Sequence, residues 1–149
     1  LHTAYRRQRQ MCIRDRYKPL LIKPNDEELK DIFGIDLKTE KDMINALDFL
    51  HKEGAQNILL TLGDKGSYFY NGKNVYYASA QPVKLLSSAC AGDSALAAFL
   101  SVWLDDQTKI VEALKNSAAT GANVAESNAI GTLEKVEEYK KNIQVRKVR

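Results

Sequence analysis

The segment Ser88-Ala89-Cys90-Ala91-Gly92-Asp93-Ser94 sets small residues and one carboxylate at the head of an apolar run, Ala95-Leu96-Ala97-Ala98-Phe99-Leu100. That run reads as a buried helix, and Val83, Leu85 and Leu86 ahead of it read as a strand. A strand turning into a helix aims backbone N–H groups and the positive end of the helix dipole at one spot, which suits an anion. Gly92 lets a phosphate approach the backbone closely. Asp93 puts a carboxylate beside that anion hole, where it can accept a proton from a hydroxyl. Phosphoryl transfer to an alcohol makes these two demands: neutralise the transferring group and orient the attacking oxygen. Taken in isolation, the same residues also read as an N-cap and a turn, because Asp is a preferred cap residue.

Two other motifs precede this turn. In Ile22-Lys23-Pro24-Asn25-Asp26-Glu27-Glu28-Leu29 an apolar run ends at a proline and a helix begins with acids in its first turn. Asn25 and Glu28 share one face of that turn. They can hold a hydrated magnesium ion, which favours oxygen ligands and keeps several waters. They also fit a capping box, with Asn25 as N-cap and Glu28 three residues on, and on local grounds that reading is the stronger. In Asn57-Ile58-Leu59-Leu60-Thr61-Leu62-Gly63-Asp64-Lys65-Gly66 a buried strand ends in Thr-x-Gly-x-x-Gly. The glycines Gly63 and Gly66 free the backbone to wrap a phosphate, and Thr61 offers a hydroxyl. The Walker A pattern is absent.

In this order and spacing the three motifs resemble the PfkB (ribokinase-like) family of carbohydrate kinases. Asn25 and Glu28 match its N-x-x-E element, Thr61, Gly63 and Gly66 its glycine loop, and Ala91, Gly92 and Asp93 the end of its second signature. The likeness runs from about Leu20 to about Val136. It implies that ATP and Mg²⁺ are used, with Asp93 as general base and Ala91 and Gly92 as the anion hole. Thr61, Gly63, Gly66 and Asn25 would hold the nucleotide, and Glu28 with Asn25 would hold the metal through water. I-K-P-N-x-x-E-L and S-A-C-A-G-D-S resemble the 1-phosphofructokinase branch most. That implies fructose 1-phosphate as the substrate and fructose 1,6-bisphosphate as the product, with tagatose 6-phosphate as the second choice. Ser87 and Ser88 stand where ribokinases carry Asp-Thr, so a potassium site is not implied. The resemblance is compatible with a homodimer of the full-length enzyme. Family members run to about twice this length, so residues 17–149 read as the C-terminal, nucleotide-binding part of such a kinase. The expectation is that the isolated chain is inactive and aggregation-prone, with a sheet edge uncovered. The rival reading is a non-catalytic nucleotide- or phosphate-binding module. It is disfavoured because such a module has no need of the Asp93 base.

Composition sets bounds on both readings. The 149 residues suffice for one domain with a core, and 44% are hydrophobic, which argues against disorder. Two cysteines, Cys12 and Cys90, do not make a disulfide framework and point to a reducing, cytoplasmic setting. Cys90 reads as a small packing residue. The net charge of +3 comes from the head: residues 1–18 hold Arg6, Arg7, Arg9, Arg14, Arg16 and Lys18 against Asp15. The remainder has 16 basic and 18 acidic residues, so neither a nucleic acid nor a membrane is an expected partner. No arginine occurs from Tyr17 to Val145. Gln10-Met11-Cys12-Ile13-Arg14-Asp15-Arg16 resembles a translated sequencing-adaptor remnant, so residues 1–16 read as a non-native leader.

Strands and helices must position these motifs. Leu20–Lys23 reads as a strand end, 27–33 and 39–52 as helices with Gly54 after the second, and Ile58–Leu62 as a buried strand. Ser67–Tyr70 and Val75–Ala78 flank Asn71-Gly72-Lys73-Asn74, a hairpin signal. The tyrosines of that hairpin read as cover for a sheet face. Helices follow at 93–104, 110–126 and 134–142, the second so rich in Ala, Ser and Gly that it must pack closely on a neighbour. In the family this helix lies beside the adenine. Residues 128–132 resemble a late family loop, and Lys140, Lys141, Arg146, Lys147 and Arg149 read as a solvated basic tail. The alternation implies an α/β layered, ribokinase-like fold with a mainly parallel sheet flanked by helices.

Overall fold

The computed structural model describes residues 18–128 and 131–149. The leader 1–16 lies outside the described residues, as do Ala129 and Ile130 of the late loop. The elements in chain order are β1 (Leu21–Ile22), α1 (Asp26–Phe33), α2 (Glu40–Lys52), β2 (Asn57–Thr61), a 3₁₀ turn (Gly63–Lys65), β3 (Ser67–Tyr70), β4 (Val75–Ala78), α3 (Ala91–Trp103), α4 (Ile110–Ala125), α5 (Val136–Asn142) and β5 (Val145–Lys147). The strands are ordered β1-β2-β3-β4-β5 in one sheet. β1 runs parallel to β2, and β5 runs antiparallel to β4. The sheet is therefore mixed rather than mainly parallel, because the chain returns at its end to pair beside the hairpin.

The chain divides into two compact units. In the first, β2 is enclosed on both faces: Ile58, Leu59 and Leu60 are fully buried. This is the pattern of a strand covered by helices on an α/β sheet. α1 and α2 begin with capping boxes built on Asn25 and Thr39, which satisfy backbone donors that a helix start leaves open. They turn Leu29, Met43, Ala46, Leu47 and Leu50 inward. Gly34 ends α1 in the left-handed region (φ 68°), and Gly54 follows α2 at φ 117°. Tyr68 and Tyr70 of the hairpin are buried, as expected of sheet cover.

The last residue of the chain belongs to this unit and is not a solvated tail. Arg149 makes a two-pronged ion pair with Asp48 of α2 (2.6 and 2.8 Å) and lies 5.4 Å from the centre of the Tyr70 ring. Its backbone pairs with Val75. The guanidinium holds the Asp48 carboxyl below the usual carboxylate range through these hydrogen bonds.

The second unit is built on α3 and α4. Phe99 and Trp103 are buried with ring centres 5.7 Å apart, and Ile110, Ala113, Leu114 and Val124 fill the rest of the seam. The close packing expected of α4 is found at Gly121, where a Cβ would stand 3.2 Å from that of Ala95 and 3.6 Å from the Ala91 oxygen. β5 lies on β4, and Arg146 sits 5.0 Å from the centre of the Tyr77 ring. The basic residues at 146 and 147 thus belong to a strand.

The segment around Val83, Leu85 and Leu86 departs from expectation. It has no strand structure, and Leu85 and Leu86 are 65% and 56% exposed. The N–H groups of Leu86 and Ser87 bond to the Ala125 carbonyl at the end of α4 (2.8 and 3.1 Å), not to a neighbouring strand. An apolar triplet without a strand to pair with and a face to bury cannot make a ladder.

Candidate functional site

In the first unit the structure brings together Asn25, Glu28 and Thr61. Asn25 and Thr61 are partners in a parallel bridge beyond the end of the β1–β2 ladder. The Thr61 N–H bonds to the Pro24 carbonyl at 3.0 Å, and its hydroxyl lies 3.4 Å from the same oxygen. Two motifs far apart in sequence therefore meet through sheet register alone. The Asn25 side-chain oxygen accepts from the Glu28 N–H at 2.7 Å, and the Glu28 carboxylate accepts from the Asn25 N–H at 3.1 Å. The capping-box reading is thus realised. A carboxylate offers about four acceptor sites, so its role in the box does not prevent Glu28 from accepting bonds from metal-bound water. Among the described residues no group of three or more His, Cys, Asp or Glu side chains is placed to hold a metal ion directly. The residues present fit Mg²⁺ through water rather than by direct ligation.

Gly63 and Gly66 lie in the second unit and differ sharply. Both have positive φ, 59° and 93°. Gly63 is exposed, and a Cβ on it would have nothing within 4 Å. Gly66 is buried, and a Cβ on it would collide with the Ala78 carbonyl oxygen. The second glycine is therefore demanded by packing on β4, and the first leaves its backbone open to an approaching group. Tyr77 supports the same turn by donating to the Lys65 carbonyl at 3.1 Å.

The Ala91-Gly92-Asp93 signature forms the first turn of α3. Cys90 is its N-cap residue, at φ 64°, and makes no side-chain cap. Asp93 is the third helical residue and so is not the N-cap. Gly92 and Asp93 are exposed. The Ala91 N–H makes only a long 3.4 Å contact to the Ser88 oxygen. An exposed helix start without a capping side chain keeps its N–H groups available to an anion. Cys90 is exposed and does not pack, contrary to expectation; the turn needs a left-handed residue there, not a buried one. Gly121 lets α4 approach the Ala91 carbonyl, which seats this helix start against its neighbour.

Sequence reasoning missed the polar cluster at the end of α4. Glu126 accepts from the Tyr139 hydroxyl at 2.5 Å and pairs with Lys135 at 3.0 Å. Asn123, buried, accepts from the Lys135 N–H at 3.2 Å through its side chain, and its backbone oxygen accepts from the Ser127 hydroxyl at 2.6 Å. Hydrogen bonding from Tyr139, then Lys135, lowers the Glu126 pKa, and burial raises that of Tyr139. The only hint in sequence was the placement of one tyrosine among the lysines and glutamates of α5.

The sequence profile of "pfkB family carbohydrate kinase" matches residues 6–135. D-tagatose-1-phosphate kinase of Klebsiella oxytoca is 47% identical over 128 residues, 86% of this chain and 42% of that one. 1-Phosphofructokinase of Bacillus subtilis is 30% identical over 128 residues, again 86% of this chain and 42% of that one. A solved Staphylococcus aureus protein assigned as a phosphofructokinase superposes with a TM-score of 0.83 at 24% identity, over 94% of this chain and 45% of that one. That last likeness speaks for the ribokinase-like fold. The chain thus spans less than half the length of these relatives. The tagatose kinase among them is named for the 1-phosphate, and tagatose 6-phosphate is not favoured as a substrate. With the profile match covering most of its length, the chain belongs to the pfkB family of carbohydrate kinases.

Proposed function

We propose that the protein carrying this segment transfers the γ-phosphoryl group of ATP to the 6-hydroxyl of a ketohexose 1-phosphate. The observation that carries the proposal is the uncapped start of α3 with Asp93 in its first turn. The hydroxyl oxygen forms a bond to the γ-phosphorus as the bridging bond to ADP breaks, and the hydroxyl proton passes to the Asp93 carboxylate. N–H groups at Ala91, Gly92 and Asp93 neutralise charge on the phosphoryl oxygens during transfer. The open backbone at Gly63, with Gly66 shaping the turn behind it, receives nucleotide phosphates, assisted by Thr61 and Asn25. Glu28 and Asn25 orient the waters around Mg²⁺. When bound, that ion would offset charge on the phosphates.

Among substrates, tagatose 1-phosphate is favoured over fructose 1-phosphate by the higher identity to the tagatose kinase. The two sugars differ at one carbinol centre, and the choice between them falls to parts of the protein outside this chain. Residues 17–149 are read as the nucleotide-side half of the kinase. A binding module without catalysis has no use for Asp93 and is not favoured.

The test has two parts. Calorimetry on the 149-residue chain should show Mg·ATP binding. ADP release should then be measured with both ketohexose 1-phosphates, using the enzyme encoded by the genomic reading frame that contains this segment. Release with neither sugar, from a folded enzyme that binds ATP, would refute the kinase reading.

A further inference from the structure

We infer that Tyr139 of α5 is a positioning residue for the signature turn, acting through Glu126 and the end of α4 on the connector that leads to Cys90. The inference rests on the kinase reading for its functional meaning and on the second unit alone for its geometry. The connector between β4 and α3 has no ladder of its own, and its two leucines are mostly exposed. Apolar burial therefore does little to hold it. Near its end it is held by the N–H groups of Leu86 and Ser87, both donated to the Ala125 carbonyl at 2.8 and 3.1 Å. Ala125 is the last residue of α4, and its carbonyl is one of those a helix end leaves without an internal partner. The connector thus caps α4, and in return α4 fixes where the chain enters the signature turn.

The next residue, Glu126, is locked from the other side. The Tyr139 hydroxyl donates to it at 2.5 Å, and Lys135 pairs with it at 3.0 Å. Tyr139 is buried, so its ring has little room to release the carboxylate and swing away. In the same knot the Ser127 hydroxyl donates to the Asn123 carbonyl, and the Asn123 side chain accepts from the Lys135 N–H. α5 also reaches the front of the connector, where the Asn142 amide donates to the Gln81 side chain at 3.1 Å. A hydrogen bond to a carboxylate is among the stronger kinds, and a rigid anchor for the Ala125 carbonyl is what a fixed turn requires. Loss of the Tyr139 hydroxyl frees Glu126 to turn, loosens the Ala125 carbonyl, and lets Leu86 and Ser87 open. The start of α3 then meets a γ-phosphate less well.

The test compares Tyr139→Phe and Glu126→Gln with wild type, all as the full 149-residue chain. Amide hydrogen exchange is read at Leu86 and Ser87 against Phe99 and Leu114, and the ratio of ATP to ADP affinity is read by calorimetry. Tyr139→Phe should speed exchange at Leu86 and Ser87 by about tenfold, the equilibrium worth of one hydrogen bond, and leave the core amides near wild type. It should also reduce the preference for ATP over ADP, which a purely structural contact elsewhere would not. Glu126→Gln keeps an acceptor for the tyrosine and should leave both signals near wild type. Unchanged exchange at Leu86 and Ser87 in Tyr139→Phe would overturn the inference, as would equal acceleration of core and connector amides. A wild-type chain that binds neither nucleotide, with the exchange difference intact, would support the tether and overturn the reading that this segment holds the nucleotide by itself.

Discussion

Alanine substitution separates the two glycines of Thr61-x-Gly63-x-x-Gly66. At Gly66 φ is +93°, and a Cβ would collide with the Ala78 carbonyl oxygen while standing 3.1 Å from a Tyr77 ring carbon and 3.2 Å from the Ala80 nitrogen. The clashing atom is main chain of β4, so no side-chain rotation relieves it. Forcing an L-residue into a left-handed backbone costs roughly 1–2 kcal/mol, and overpacking typically adds about 1–3 kcal/mol. Gly66→Ala should therefore cost about 4 kcal/mol, a large part of the roughly 5–15 kcal/mol that holds a typical domain together. Gly63 shares the left-handed backbone, at φ +59°, but a Cβ there meets nothing within 4 Å. Its alanine variant should lose only about 1 kcal/mol. If Gly63 receives a phosphate as proposed, the added methyl would obstruct it, and Gly63→Ala should weaken ATP binding by about tenfold, as expected for one lost backbone–phosphate hydrogen bond. Urea unfolding at constant slope reads the first quantity, and calorimetry reads the second. Equal loss of stability in the two variants, or a neutral Gly66→Ala, would refute the reasoning from the Ala78 clash. Unaltered ATP affinity in Gly63→Ala would remove Gly63 from the phosphate site.

Other substitutions test the remaining parts. Asp93→Asn in the genomic-frame enzyme should lower phosphoryl transfer by about 10²–10⁴-fold, the usual worth of a general base, and leave ATP affinity near wild type; steady-state ADP release and calorimetry check both. Cys90 holds φ 64° without packing, so Cys90→Gly should raise stability by about 1 kcal/mol and Cys90→Val should lower it, both read by urea midpoint. Arg149 depresses the folded-state pKa of Asp48, so the pair's stabilisation is present above the ordinary carboxylate range and is lost as pH falls through the depressed value. Between neutral pH and pH about 3, wild type should therefore lose more stability than Arg149→Ala, whose Asp48 has no such bond to lose.

What could be read from the sequence divides by range. Asn25 and Glu28 are local partners, and their capping box formed as the spacing dictates; the Thr39–Asp42 box is as local but was not read. The hairpin bounds at Ser67–Tyr70 and Val75–Ala78 likewise follow from an Asn-Gly turn between aromatic runs. Ala and Gly richness in α4 correctly announced close packing, because a helix face without bulk can only be buried against another backbone. Errors arose where a distant partner decides. Val83, Leu85 and Leu86 have strand composition, yet they form no strand, and the Leu86 N–H bonds instead to the end of α4. Arg146 and Arg149 look like solvated charge until Tyr77, Tyr70 and Asp48 are brought under them.

The candidate site shows the same division, with one consequence for how it works. Each of its three motifs was recognisable locally. The link between Asn25 and Thr61 was not, since it depends on β1 lying parallel to β2 in the register Leu21 with Asn57 and Ile22 with Ile58. A one-residue slip would send the side chains of β1 to the opposite face and carry Asn25 away from Thr61. The pairing of Ile22 with buried Ile58 and the N–H bonds of Gln56, Asn57 and Thr61 to the Pro19, Leu20 and Pro24 carbonyls oppose that slip, because all three bonds would have to break. The apolar run ahead of the motif therefore sets the spacing of two polar residues that its own composition cannot specify. Ile58→Asp should accordingly do more than destabilise the strand: at a urea concentration where the variant is still folded, the hydrogen-bonded Thr61 amide should exchange early, together with those of Gln56 and Asn57 along the same pairing. Retained protection at Thr61 with lost protection at Asn57 would show that the bridge forms without the ladder and would sink this account of the register.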